Sequence, residues 1–312
     1  MPRKRKGRPI HGWLVLDKPK GLTSAKAVAA VRKQLDAAKA GHGGTLDPLA
    51  TGVLPIALGE ATKTVGYAME GPKTYRFQVR WGETRDTDDL EGAVTAESPV
   101  RPTQAQIEAA LPAFRGAVAQ VPPVYSAVKV AGKRAYARAR AAESLTLAAR
   151  TVQIHGLALA AMPDADHAVF EAVCGKGTYI RSLARDLGAA LGTLGCVAEL
   201  RRLASGPFTE KQAISLDYLT SLGHDAPATE HLLPVETGLD DIPALALTEQ
   251  QAVQLRHGQA VQMLLREDHR QVRTRAATEE EGAVVCAMLA GRPVAVARLA
   301  KGQLRALRVL NL

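Results

Sequence analysis

The chain has 312 residues, 46% of them hydrophobic, which is enough for one large core and a smaller second domain. Its net charge of +9 and pI near 9.6 favour a polyanionic partner, and no apolar run approaches the length of a membrane span. Three cysteines, Cys174, Cys196 and Cys286, are widely separated and lack paired metal spacing, which excludes a disulfide scaffold and fits a reduced, cytoplasmic setting.

The charge is unevenly placed. Residues 1–12 hold five basic and no acidic residues, residues 13–241 hold 25 of each sign, and residues 242–312 hold ten basic against six acidic. The first ten residues, with Arg3, Lys4, Arg5, Lys6 and Arg8, lack the apolar core of a signal peptide and read as a disordered basic arm. Residues 11–16 follow as a buried strand running into Asp17-Lys18-Pro19-Lys20-Gly21. Thr23 and Ser24 then cap a helix whose apolar stripe is Val28, Val31 and Leu35.

His42-Gly43-Gly44-Thr45-Leu46-Asp47-Pro48-Leu49-Ala50-Thr51-Gly52 isolates one carboxylate in a glycine-rich loop. Pro48 biases Asp47 away from helical backbone, and the glycines permit a tight path and close approach of a ligand. By itself the spacing leaves open an ordinary Asp-Pro turn. Residues 73–79 alternate as a half-buried strand does, with Tyr75, Phe77 and Val79 on one face. Asp86, Asp88 and Asp89 suit either a cation site or a hairpin loop capped by its own Asp side chains, and the pattern favours the hairpin.

Residues 125–150 carry six basic side chains, Lys129, Lys133 and Arg134 among them, against Glu143. Basic residues interleaved with Tyr125 and Tyr136 suit a phosphate backbone and exposed bases; a solvated helix face is the alternative. Lys176-Gly177-Thr178-Tyr179-Ile180-Arg181 enters a helix with Ile180, Leu183, Leu187 and Leu191 at helical spacing. Arg181 falls in the first turn, where the helix dipole disfavours a cation, so an anion must reach it from elsewhere, and Asp47 is the candidate. Prolines 234 and 243 mark a domain boundary. Beyond it, strands are predicted near 245–248, 282–289, 294–298 and 304–310, with a short helix from Glu249, which suggests a small barrel. Strands and helices without regular alternation predict an α+β chain.

Taken together, the Asp-Lys-Pro-Lys-Gly turn, the Asp47 loop, the Tyr75 strand, the Tyr125-Ser126-Ala127-Val128-Lys129 segment and the helix start at Arg181 resemble the TruB family of tRNA pseudouridine-55 synthases. The resemblance runs from residue 11 to about 219. It implies a pseudouridine synthase fold, with a mixed, largely antiparallel sheet and a central cleft over residues 11–240. An RNA-clamping insertion is implied near 122–152, and a PUA-like RNA-binding barrel, more weakly, over 243–312. The implied reaction isomerises a uridine in the T-loop of transfer RNA after flipping it from its stack, with no metal, cofactor, guide RNA or obligatory protein partner, in a monomer.

Residue by residue, Asp47 matches the family's essential aspartate, Tyr75 the tyrosine that stacks on the target uracil, and Arg181 the arginine that pairs with the aspartate. Tyr179 and Leu200 match residues lining the uracil pocket, and His42 the histidine that fills the vacated stack. Lys18 belongs to a mainly structural turn and is a candidate phosphate contact. Gly175 and Arg185 depart from the family pattern, and Arg185 is placed to compete for Asp47 or to contact phosphate. Three other classes stay open: an RNA chaperone without catalysis, a guide-dependent relative, and a glycoside hydrolase, which usually needs two carboxylates where the Asp47 loop offers one.

Overall fold

Trp13, Leu14, Val15 and Leu16 are all essentially sealed from solvent, which requires a strand covered on both faces. In the computed structural model, which describes residues 7–126, 129–130, 133–134, 147–223, 226–263 and 282–312, these residues lie in β1 (Gly12–Lys18). Helix α1 (Ser24–Gln34) starts where predicted: the Thr23 side chain accepts from the Lys26 N–H, and Ala27 and Val31 are buried. Strands β2 (Ala40–His42) and β3 (Thr51–Leu58) flank the Asp47 loop, and a short helix α2 (Val65–Ala68) leads to β4 (Lys73–Trp81). Phe77 and Val79 of β4 enter the core, while Tyr75 on the same face is only partly covered.

The acidic tract joins β5 (Glu83–Arg85) to β6 (Val94–Glu97) as a hairpin. Helix α3 (Gln104–Ala110) precedes β7 (Gly116–Gln120). The backbones of β8 (Lys129–Val130) and β9 (Lys133–Arg134) pair with one another; the rest of the predicted clamp from 127 to 146, like arm residues 1–6, lies outside the described residues. Then come β10 (Arg150–Asp164), β11 (His167–Cys174), α4 (Ile180–Ala190), β12 (Gly195–Ser205), β13 (Phe208–Thr209), β14 (Ile214–Ser215) and α5 (Leu216–Ser221). Helix α4 buries Ile180, Leu183 and Leu187 at the spacing read from the sequence, with Ala184 beside them, while Leu191 falls at the C-cap and is half-buried.

The main sheet runs β14-β1-β3-β12-β4-β11-β10-β7, with β2 added to β3 and β13 to β12. The pairs β1–β14 and β3–β12 are parallel and the other pairs along this path antiparallel, so the sheet is mixed and largely antiparallel. Helices α1 and α4 supply residues to the core on one face. Trp13, Val15, Val53, Ala57 and Phe208 point to the other, where Val235 and Leu310 cover them.

The proline-marked connection is a packed segment. Residues Val235–Leu239 form a 3-10 turn, the Trp13 indole N–H donates to the Val235 carbonyl at 3.1 Å, and a Cβ on Gly238 would come within 2.5 Å of the indole ring. Indole needs both cover and an acceptor when buried, and this segment provides the two together.

Beyond it, β15 (Ala244–Ala246), α6 (Glu249–Arg256), β16 (Val261–Gln262), β17 (Ala283–Leu289), β18 (Arg292–Ala300) and β19 (Gln303–Val309) build a second core around Leu245, Leu255, Val285 and Leu304. The sheet, ordered β15-β17-β18-β19-β16, curls into a half-barrel. Its last strand and the residues after it are fastened beside β3 by Lys63 Nζ donating to the Val309 carbonyl and the Asn311 N–H donating to Glu60, both at 2.8 Å.

Candidate active site

The Asp47 loop is held from three directions, and each hold falls on main chain. Ser24, at the start of α1, donates its hydroxyl to the Leu46 carbonyl at 3.0 Å and accepts the Leu46 N–H at 2.8 Å. Arg202 in β12 donates to the carbonyls of Gly44, Thr45 and Val53. Lys18 donates to the carbonyls of Pro19, Leu22 and Pro48. At the loop's end, Gly52 has φ +96°, and a Cβ there would come within 2.3 Å of the Arg202 carbonyl, so the parallel approach of β3 to β12 requires glycine.

Lys18 corrects an expectation. Its side chain is 0% exposed and its three N–H bonds are accounted for by carbonyls, so it anchors the loop and does not reach a phosphate. Burial pulls its ammonium down to about 8, with Asp47 opposing the shift.

Arg181 meets the anion that its position in α4 demanded. Its side chain is 5% exposed, and Nε lies 2.9 Å from Asp47 Oδ2 and 3.6 Å from Asp89 Oδ2. Nη1 donates to the Thr87 carbonyl at 2.8 Å and Nη2 to the Tyr125 carbonyl at 3.0 Å. The guanidinium is thus locked from behind, while the Asp47 side chain stays 38% exposed toward the cleft. A planar fork does this where an ammonium cannot.

Asp89 was not singled out for the site by sequence reasoning. It sits in the expected capped hairpin, with Oδ1 accepting from the Glu91 N–H at 3.0 Å and from the Thr87 hydroxyl at 2.6 Å, and this leaves Oδ2 facing Arg181. The cluster of aspartates was the available signal, but only folding turns its tip toward α4. Arg185 does not compete for Asp47: it pairs with Asp88 at 2.9 Å and with Asp186, and donates to the Val121 carbonyl. Burial pushes the Asp88 carboxyl up, and Arg185 opposes that.

Asp47, Tyr75, Tyr179, Arg181 and Leu200 line one hollow of about 450 Å³, so the predicted constellation converges. Burial pushes the Tyr75 phenol up, and the neighbouring Arg202 charge works against the shift. Tyr179 is placed by Gln120, whose amide accepts the Tyr179 N–H at 2.8 Å and donates to its carbonyl at 3.0 Å. The Arg150 guanidinium lies 5.5 Å from the Tyr179 ring centre. His42 borders a second hollow, of about 380 Å³, which shares Asp47 and Arg181 with the first, so it lies to one side of the carboxylate and apart from Tyr75. The side chains of Lys129, Lys133 and Arg134 lie outside the described residues.

An exposed carboxylate fixed by a buried guanidinium, in a hollow walled by two tyrosines and a leucine, can hold a flat ring and act at an adjacent carbon. Among the described residues no group of three His, Cys, Asp or Glu side chains is arranged to hold a metal ion.

Residues 32–180 match the model for the TruB family pseudouridylate synthase N-terminal domain, and residues 181–240 match the tRNA pseudouridylate synthase B C-terminal domain. A protein of Rhodospirillum rubrum named tRNA pseudouridine synthase B is 54% identical over 312 residues, covering all of both chains. A protein of the same name from Caulobacter vibrioides is 51% identical over 313 residues, again covering all of both. Among solved structures, a chain of a Cbf5-Nop10-Gar1 complex superimposes with a TM-score of 0.71 at 26% identity, over 96% of this chain and 84% of that one. With two adjoining family models spanning the Asp47 loop and the Arg181 helix, and relatives above half identity along the whole length, this chain belongs to the TruB family of pseudouridylate synthases, which are isomerases.

Proposed function

We propose that this enzyme converts the uridine at position 55 in the T-loop of transfer RNA to pseudouridine, without a guide RNA. The observation that carries the reading is the Asp47–Arg181 pair at 2.9 Å inside the hollow walled by Tyr75, Tyr179 and Leu200. The target nucleotide leaves its stack, its uracil lies on Tyr75 between Leu200 and Tyr179, and His42 fills the space it vacated. Asp47 then acts on the ribose, either by attacking C1′ or by taking the C2′ proton; in each route N1 leaves with the bonding electrons. Arg181 keeps Asp47 aimed.

The enzyme acts as a monomer in the cytoplasm, with residues 11–240 as the catalytic domain, residues 243–312 as a PUA-like RNA-binding domain, and no metal or other cofactor. The test is pseudouridine mapping on unmodified transfer RNA with the purified full chain alone. Pseudouridine at position 55 is the expected result. Modification elsewhere, or none without an added RNA or protein, overturns the reading.

The segment 122–152 acts as a clamp on the T-arm, supported by six basic residues within a middle region that is neutral as a whole. Replacing Lys129, Lys133 and Arg134 together with glutamine should weaken transfer RNA binding and flatten its dependence on salt. Each lost phosphate contact should remove roughly 0.7 to 0.9 from the log-log slope. Turnover at saturating RNA should change far less. An unchanged slope would assign these side chains to a solvated surface.

A further inference from the structure

We propose that Arg202 and Lys73 form a cationic floor beneath the base and stabilise the negative charge that uracil carries once its bond to the ribose is broken. The inference rests on the proposed isomerisation and gives a role to two residues outside the Asp47–Arg181 pair. Arg202 in β12 is the register partner of Tyr75 in β4, and Lys73 lies two residues before Tyr75, so all three emerge on one face and line the same hollow.

Both cations are buried, Arg202 at 1% and Lys73 at 7% exposure. Arg202 donates to the carbonyls of Gly44, Thr45 and Val53, and Lys73 to those of Met69 and Gly71. Among the described residues neither meets a carboxylate at ion-pair distance, whereas Arg76, Arg85, Arg181, Arg185 and Arg201 each do. Burying a cation on carbonyl dipoles alone is costly, and an anion arriving beside it removes part of that cost. Burial also pulls the Lys73 ammonium down, with the Arg202 charge adding to the effect and the Glu70 carboxylate opposing it.

The reaction delivers an anion to that place. When C1′–N1 breaks, both electrons pass to uracil and spread over N1 and its carbonyl oxygens. Asp47 loses its charge in the same step, by bonding to C1′ or by accepting the C2′ proton. A bond from C5 to C1′ then returns the pair to the ribose, the C5 proton leaves and N1 takes one up. Asp47 is released with its charge, the C2′ proton returning if it was taken, so the isomerisation balances without a co-reactant. Negative charge therefore moves from the Asp47 end of the hollow, where Arg181 holds it, to the Tyr75 end, where Arg202 and Lys73 wait. Fixed cations at the destination favour the broken-bond state over the bound substrate, which is the condition for accelerating the step.

The test compares Lys73→Gln and Arg202→Gln with the wild type in single-turnover cleavage of the glycosidic bond. The transfer RNAs carry either uridine or 5-fluorouridine at the target position, and binding of each RNA is measured first. Fluorine at C5 withdraws electrons, so the departing base bears its charge more easily and needs less help from the floor. Lys73→Gln should slow cleavage of the uridine RNA roughly 100-fold, the scale of losing one preorganised electrostatic partner. On the 5-fluorouridine RNA the loss should be clearly smaller, because the better leaving group depends less on the floor. A merely structural role slows both RNAs equally. Equal losses, or a Lys73→Gln variant as fast as the wild type, overturn the proposal. Arg202 also braces the Asp47 loop, so if Arg202→Gln does not fold, Lys73→Gln decides alone. A wild type inactive on the uridine RNA would instead strike the proposed isomerisation itself.

Discussion

Asp47→Asn is expected to stop pseudouridine formation while leaving transfer RNA affinity unchanged. The substitution keeps the shape of the side chain, and the loop that carries it is fixed through main-chain groups by Ser24, Lys18 and Arg202, none of which touches the carboxylate. An amide neither attacks C1′ nor takes a ribose proton, so the loss should be at least about 10⁴-fold, the scale seen when a group acting directly in bond making is disabled. Binding resists the change because affinity for a polyanion is dominated by phosphate contacts made elsewhere. Single-turnover pseudouridine formation beside a filter-binding titration checks both halves. Turnover at the wild-type rate would reduce Asp47 to a turn residue.

Arg181→Lys should cost roughly 100- to 1,000-fold in single-turnover rate, again with little change in RNA affinity. The charge survives, but one ammonium cannot reproduce the Nε contact with Asp47 at 2.9 Å and, behind it, the bonds to the Thr87 and Tyr125 carbonyls at 2.8 and 3.0 Å. Asp47 would keep a cation nearby and lose its orientation. Folding should suffer less than catalysis, with a destabilisation of about 1 to 3 kcal/mol from carbonyls left without donors, read from thermal or urea unfolding. Arg181→Met should be worse for folding, because Asp89, almost fully buried, then loses its ion-pair partner. A lysine variant with the wild-type rate would contradict the positioning role of Arg181.

These variants also separate what was legible in the chain from what was not. Local features were legible because their causes are local. Thr23 caps α1, Phe77 and Val79 share the core face of β4 with Tyr75, and Ile180, Leu183 and Leu187 turn α4 onto the sheet. Each follows from backbone chemistry or periodicity within a few residues. The demand for an anion at Arg181 was legible in the same way, from its place in the first turn of a helix.

How that demand is met was decided by tertiary structure. Asp47 lies 134 positions away in the chain, and the strand order that sets β3 and β4 on either side of β12 brings the Asp47 loop and Tyr75 into one hollow with the helix that carries Arg181. The same order turns the β5–β6 hairpin so that Asp89 becomes a second carboxylate on the guanidinium and Asp88 occupies Arg185. Lys18 and Arg202 read in sequence as ordinary cations, and only the packed structure shows them buried and bonded to carbonyls. A sequence records which side chains carry charge, and periodicity records which face they take. Whether a charge meets water, a carboxylate or a carbonyl depends on segments brought together from distant parts of the chain, and that decided which cations brace the Asp47 loop and which face the hollow.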